Sequence, residues 1–83
     1  MIKVALAQIN PTVGDIAGNA HLIVDAAQRA HAAGAQLVVT PELALCGYPP
    51  EDLLLRPAFM QACAEALAGI AAELAPCDGL HVV

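Results

Sequence analysis

Positive charge is scarce in this sequence. Lys3, Arg29 and Arg56 are its only strong cations against eight acidic residues, giving a net charge of −5. Scattered as they are, they form no basic patch for a phosphate backbone, so nucleic-acid binding is not expected. Long apolar runs are also lacking, and nothing approaches the ~18 consecutive apolar residues of a membrane-spanning helix. The amino-terminal run Val4-Ala5-Leu6-Ala7 is cut short by Gln8, too early for the core of a signal peptide. No membrane association is expected, and the cytoplasm is the expected location.

Paired metal or disulfide spacings are missing as well. Cys46, Cys63 and Cys77 contain no CxxC, and an odd number of cysteines cannot close into a full disulfide set, so reduced thiols are expected. His21, His31 and His81 lie ten and fifty residues apart, and neither gap makes the i, i+4 helical pair that a zinc site uses. No metal site is expected in this segment, and no cofactor.

Apolar side chains are plentiful instead. The chain has 83 residues, is 59% hydrophobic and has a mean hydropathy of +0.67, against about 45–50% apolar for an average domain. A chain this short buries only about 60–65% of its extended surface, so it carries more apolar side chain than it can hide. A compact Ala-rich domain is one reading. A piece of something larger fits the excess better.

Five elements follow from the pattern. Ile2 to Gln8 is short and apolar, as a strand buried on both faces would be, and Asn10-Pro11-Thr12-Val13-Gly14 breaks it. Asp15 is placed to cap a helix over residues 16–33, in which Ile16, Ala20, Ile23, Ala27 and Ala30 recur at helical spacing until Gly34 stops it. Gln36 to Thr40 reads as a second strand, ended by Pro41. Pro57 suits the first turn of a second helix, whose apolar positions are Phe59, Cys63, Leu67, Ile70 and Leu74. Cys63 sits on that stripe as an ordinary small core residue. After the turn signal Pro76-Cys77-Asp78-Gly79, a third strand starts near Leu80, and a strand there needs a continuation or a neighbour for its ladder bonds. The order strand, helix, strand, helix, strand predicts an α/β layer.

Active groups in open α/β sheets lie beyond the carboxyl ends of the strands, and Glu42 follows the second strand directly. Apolar residues on both sides of it would desolvate its carboxylate and raise its pKa toward the range of a general base. The alternative is a turn residue that accepts backbone hydrogen bonds. Cys46 has no Lys, Arg or His nearby to make it a nucleophile, which leaves it a loop-packing role. Tyr48-Pro49-Pro50 is stiff, so Tyr48 could offer its hydroxyl or ring to a substrate, or pack beneath its own prolines. Glu51-Asp52 reads as a turn or cap before the apolar patch Leu53-Leu54-Leu55.

These residues carry a resemblance. Met1 to Asn19, together with Leu37-Val38-Val39-Thr40-Pro41-Glu42-Leu43, resembles the start of the nitrilase (carbon–nitrogen hydrolase) superfamily. The longer string from Pro41 to Leu54, with Gly47-Tyr48-Pro49-Pro50-Glu51-Asp52 at its centre, resembles more particularly the amino-terminal glutaminase domain of the glutamine-dependent NAD+ synthetase family.

The resemblance implies an αββα sandwich amidase with a Glu-Lys-Cys catalytic set, of which residues 1–83 would be the amino-terminal β-α-β-α-β part. Glu42 would be the general base, the one catalytic residue that carries over, and glutamine the substrate. The lysine and the nucleophilic cysteine belong to later strands, so Lys3 is not the first, and none of Cys46, Cys63 and Cys77 is the second. The remainder of the amidase domain and a carboxyl-terminal synthetase domain using ATP and Mg2+ would lie outside this segment, which alone would be inactive. A homo-oligomer is implied for the parent. Two other readings stay open: a stand-alone nitrilase-type amidase, and a non-catalytic α/β fragment that needs a partner for its apolar faces.

Overall fold

The computed structural model describes residues 2–41, 44–47 and 56–83. Within them the chain forms strand β1 (Val4–Leu6), helix α1 (Ile16–Ala32), strand β2 (Leu37–Val39), helix α2 (Pro57–Leu74) and strand β3 (His81–Val82). The strands make one parallel sheet in the order β1-β2-β3, with Val4, Ala5 and Leu6 opposite Leu37, Val38 and Val39. Leu37 and Val38 in turn face His81 and Val82. Two crossovers advancing in the same direction along a sheet, each right-handed, put both helices on one face. There α1 packs against α2.

Local chemistry sets the helix ends. The Asp15 carboxylate accepts from Gly18 N–H at 3.1 Å and so caps α1. At the other end Lys3 Nζ donates to the Ala33 carbonyl at 2.6 Å, a cation on the carbonyl end of a helix. Lys3 is thus tied to the helix terminus. Pro57 opens α2, where its missing N–H costs nothing.

The core lies between the helix layer and the inner face of the sheet. Ile23 and Val24 of α1, Ala44 of the turn after β2 and Ile70 of α2 form its centre, with Ile9, Ala20, Leu45 and Leu74 packed around them. Ala27 and Val38 are fully buried. Burial of an isoleucine-sized side chain stabilises by about 1.5–3 kcal/mol, so Ile23 and Ile70 hold α1 and α2 to each other and to the turn at Ala44.

Two expectations need correction. The first strand was expected over residues 2–8 and buried on both faces, yet β1 spans only Val4–Leu6, with Val4 half exposed and Leu6 72% exposed. Alternation along a strand sends Ile2, Val4 and Leu6 to the face opposite the helices, and among the described residues β1 has a ladder neighbour, β2, on one side only. Leu67 was expected on the buried stripe of α2 and is 62% exposed. At 3.6 residues per turn Cys63, Ile70 and Leu74 lie within about 60° of Phe59, whereas Leu67 lies about 80° away, beyond the packed seam.

Candidate active site

The carboxyl ends of β1 and β2 are where the candidate site is built. Two backbone segments meet there: the loop 10–14 that leaves β1 and the turn 44–47 that follows β2. Glu42 and Tyr48, the two residues singled out from the sequence, lie outside the described residues, and so do Glu51 to Leu55. Their immediate neighbours in the chain are described, and they are held on both sides of Glu42.

Before Glu42, the end of β2 is fastened to β3. Thr40 donates from its backbone N–H to Val83 O at 2.8 Å and from its hydroxyl to the same oxygen at 2.9 Å. After Glu42, the turn 44–47 is fastened to the loop from β1. Gly14 N–H donates to Cys46 O at 2.9 Å. Gly47, at φ +82°, lies so close to that loop that a Cβ on it would stand 2.5 Å from Thr12 O and 2.6 Å from Val13 N, which is why this position takes glycine.

Asn19, on the first turns of α1, joins the two segments. It is 1% exposed and is the buried polar side chain of the described core. Its Oδ1 accepts from Thr12 N–H at 2.8 Å, while Nδ2 donates to Thr12 O at 2.8 Å and to Leu45 O at 3.0 Å. Thr12 presents both a donor and an acceptor, which fixes the orientation of the amide, since a flipped Asn19 would face oxygen with oxygen. Every buried polar atom of the side chain is paired, as burial demands.

Sequence reasoning passed over Asn19. The available signal was its position: it stands four residues before Ile23 and eight before Ala27, on the apolar face of α1. A polar side chain in that line must find partners or pay the desolvation cost.

The cysteines take quieter roles. Cys46 is half-buried in the turn, with its Sγ 3.5 Å from Sγ of the buried Cys63. Burial pushes the Cys63 thiol up to about 11, and the neighbouring Cys46 thiol pushes the same way, so Cys63 stays protonated near neutrality and is no nucleophile. A cavity of about 690 Å³ opens beside Thr40 and Pro41, walled by Ile23, Ala44, Cys46, Ile70 and Val82. It is apolar, and its one hydroxyl, that of Thr40, is already committed to Val83. Among the described residues there is no group of three or more His, Cys, Asp or Glu able to hold a metal ion, and no helix long and apolar enough to cross a membrane. What the arrangement offers is a held frame for the segment that carries Glu42.

Residues 3–82 match the family described as carbon-nitrogen hydrolase. A glutamine-dependent NAD(+) synthetase from Synechocystis sp. is 57% identical over 76 residues, which are 92% of this chain and 14% of that protein. The fold superposes on a glutamine-dependent NAD(+) synthetase from Cytophaga hutchinsonii with a TM-score of 0.86 and 32% identity, covering 98% of this chain and 13% of the solved one. An amidase from Nesterenkonia sp. is similar with a TM-score of 0.71 and 39% identity, covering 84% of this chain and 27% of that one. The chain therefore spans about a seventh of the length of the synthetases it matches. Its small α/β structure is the β-α-β-α-β part of the nitrilase-type αββα sandwich.

Proposed function

From the premise that this chain belongs to the carbon–nitrogen hydrolase family, we propose that it is the amino-terminal part of the amidase domain of a glutamine-dependent NAD+ synthetase. The observation that carries this reading is the 57% identity over 92% of the chain to a synthetase. The remainder of the amidase domain and an ATP-dependent synthetase domain then belong to the rest of the protein. ATP and Mg2+ are used there, and no residue of this chain is assigned to either. Glutamine is the substrate of the amidase, the location is cytoplasmic, and the whole enzyme is a homo-oligomer with no nucleic-acid or membrane partner.

In this reading Glu42 is the general base. Its carboxylate takes the proton from a cysteine thiol supplied by a later strand, and the thiolate attacks the amide carbon of glutamine. Ammonia leaves as the thioester forms, and water releases glutamate from the thioester. Ammonia then attacks the adenylated carboxyl carbon of nicotinate adenine dinucleotide in the synthetase domain, forming the amide as AMP leaves. Residues 1–83 hold the base and its frame but neither the nucleophile nor the lysine, so alone they turn nothing over, because groups that act as a unit leave little behind when separated. Tyr48 is a substrate contact in the same reading.

The test is Glu42→Gln in the full-length protein. A general base contributes roughly 10²–10⁴-fold, so glutamine-dependent NAD+ synthesis falls by that factor while synthesis from ammonia is unchanged. If glutamine-dependent synthesis persists, Glu42 is not the base. The second reading, a stand-alone amidase, is favoured by the likeness to the Nesterenkonia amidase. An amidase of that kind would release ammonia from a small amide and make no NAD+ from any nitrogen source.

A further inference from the structure

The chain segment that carries Glu42 runs between two anchors. One is Thr40, bound twice to Val83 O. The other is the turn 44–47, which a backbone hydrogen bond from Gly14 and one buried side chain tie to the loop after β1. Asn19 binds Leu45 O and both backbone groups of Thr12. It thereby fixes the turn after β2 to the loop after β1 with three part-buried hydrogen bonds.

Two further features show that this junction is built to fine tolerance. Gly14 N–H bonds Cys46 O at 2.9 Å, and Gly47 leaves no room for a Cβ against Thr12 and Val13. Neither can form unless the two segments approach as closely as Asn19 draws them. Helix α1 brings this clamp with it, since Asn19 lies one turn past the Asp15 cap and is flanked by the packed side chains of Ala20 and Ile23.

We infer that Asn19 is a positioning residue for the amidase reaction: its buried amide locks the turn 44–47 onto the loop 10–14 and so holds the Glu42 segment in register with the rest of the catalytic set. The inference rests on the reading of Glu42 as general base. Removing the amide leaves Leu45 O, Thr12 O and Thr12 N–H without these partners at a part-buried junction, and water entering in its place loosens the turn from the loop. Displacement of a catalytic group by about 1 Å costs on the order of a hundredfold in rate. A loss of this kind falls on kcat, because Asn19, 1% exposed, offers no surface to a substrate.

The experiment uses the full-length protein with Asn19→Ala and Asn19→Asp. The second keeps the shape and the acceptor for Thr12 N–H and gives up both donations. Glutamine-dependent kcat is expected to fall by about ten- to a hundredfold in each, with KM for glutamine and ammonia-dependent synthesis unchanged. In a Glu42→Gln background the same substitutions should change the residual rate by less than about threefold, because their effect passes through the base. A purely structural role would lower both activities, or would act equally in either background.

A folded Asn19→Ala protein with wild-type kcat overturns the inference. So does a loss confined to KM, a loss undiminished in the Glu42→Gln background, or failure of both variants to fold, which would make the clamp a stability element only. Glu42→Gln measured alone separates the two layers. If it leaves glutamine-dependent turnover intact, the base assignment fails; if it abolishes turnover while Asn19→Ala does nothing, only the positioning role fails.

Discussion

Substitution of Gly47 by alanine should be the most damaging single methyl addition among the described glycines, and the structure separates its cost into two parts. Gly47 has φ +82°, a conformation that costs an L-residue about 1–2 kcal/mol. Its Cβ would also meet Thr12 O at 2.5 Å and Val13 Cα and N at 2.6 Å. Those are backbone atoms that cannot swing away, so overpacking adds about 1–3 kcal/mol. The expected cost is about 2–5 kcal/mol. Gly79 is the control, because its φ of +76° is nearly the same and a Cβ there would meet nothing within 4 Å, which leaves only the conformational part, about 1–2 kcal/mol. Amide hydrogen exchange read peptide by peptide in the full-length protein measures both locally. With a tenfold change per ~1.4 kcal/mol, Gly47→Ala should speed exchange at Gly14, whose N–H is held by Cys46 O, by roughly thirtyfold or more. Gly79→Ala should speed exchange around residues 76–80 by only about five- to thirtyfold. Equal accelerations at the two sites would refute the close approach of turn 44–47 to loop 10–14.

Gly69→Ala should act in the opposite direction. The position lies inside α2 and a Cβ there meets nothing within 4 Å, so the helix gains about 0.5–1 kcal/mol, and the melting temperature should rise rather than fall. The Cys63 thiol, raised from 9.0 to about 11, should resist iodoacetamide at about pH 8 in the native protein and react on unfolding. Its folded-state pKa lies above the unfolded one, so its contribution to stability is whole below about pH 9 and is lost as the pH rises toward about 11. The melting temperature of the parent should therefore fall more steeply across that window than that of Cys63→Ala. Parallel slopes would show that this thiol is not held protonated by the fold.

Most of the fold was legible in the sequence because its signals are local. Asp15, Pro57 and the apolar spacing of Ile16, Ala20, Ile23 and Ala27 each act within one turn of helix, and α1 and α2 lie where those signals put them. Strand ends were less legible, since a strand extends only as far as its neighbour pairs with it. The ladder bonds reach Lys3 and Ala7 on β1, yet regular strand geometry covers only Val4–Leu6. Leu67 failed for a different reason. Spacing of three and four marks a stripe, but the width of the seam depends on the partner helix. At the candidate site, Glu42 was readable as a carboxylate at a strand end and Tyr48 as part of a stiff loop. Their roles rest on that reading and on family likeness. Asn19 needed the structure, because nothing local says that Thr12 and Leu45 will come to it from two different strand ends.

The uncovered face of the sheet ties these observations to the composition. Register places Val4, Leu37 and His81 on one face, then Leu6 and Val39, and Leu6 and Val83 are each 72% exposed there. Parallel strands are ordinarily buried on both sides, and the helices α1 and α2 cover only one. The 59% hydrophobic content is therefore a demand half met by the described residues. In the αββα arrangement to which this fold belongs, a second sheet takes the other face. Thr40, Asn19 and Gly47 fix the ends of the Glu42 segment from the helix side, and the second sheet would fix the strands from beneath. Burial of the open face at about 25 cal/mol per Å2 of apolar surface would then stabilise β1 and β2, the strands from which both segments leave. On this argument the frame around Glu42 should be looser in the isolated chain than in the full domain. Exchange at Gly14 N–H, measured in both, would put that difference to the test.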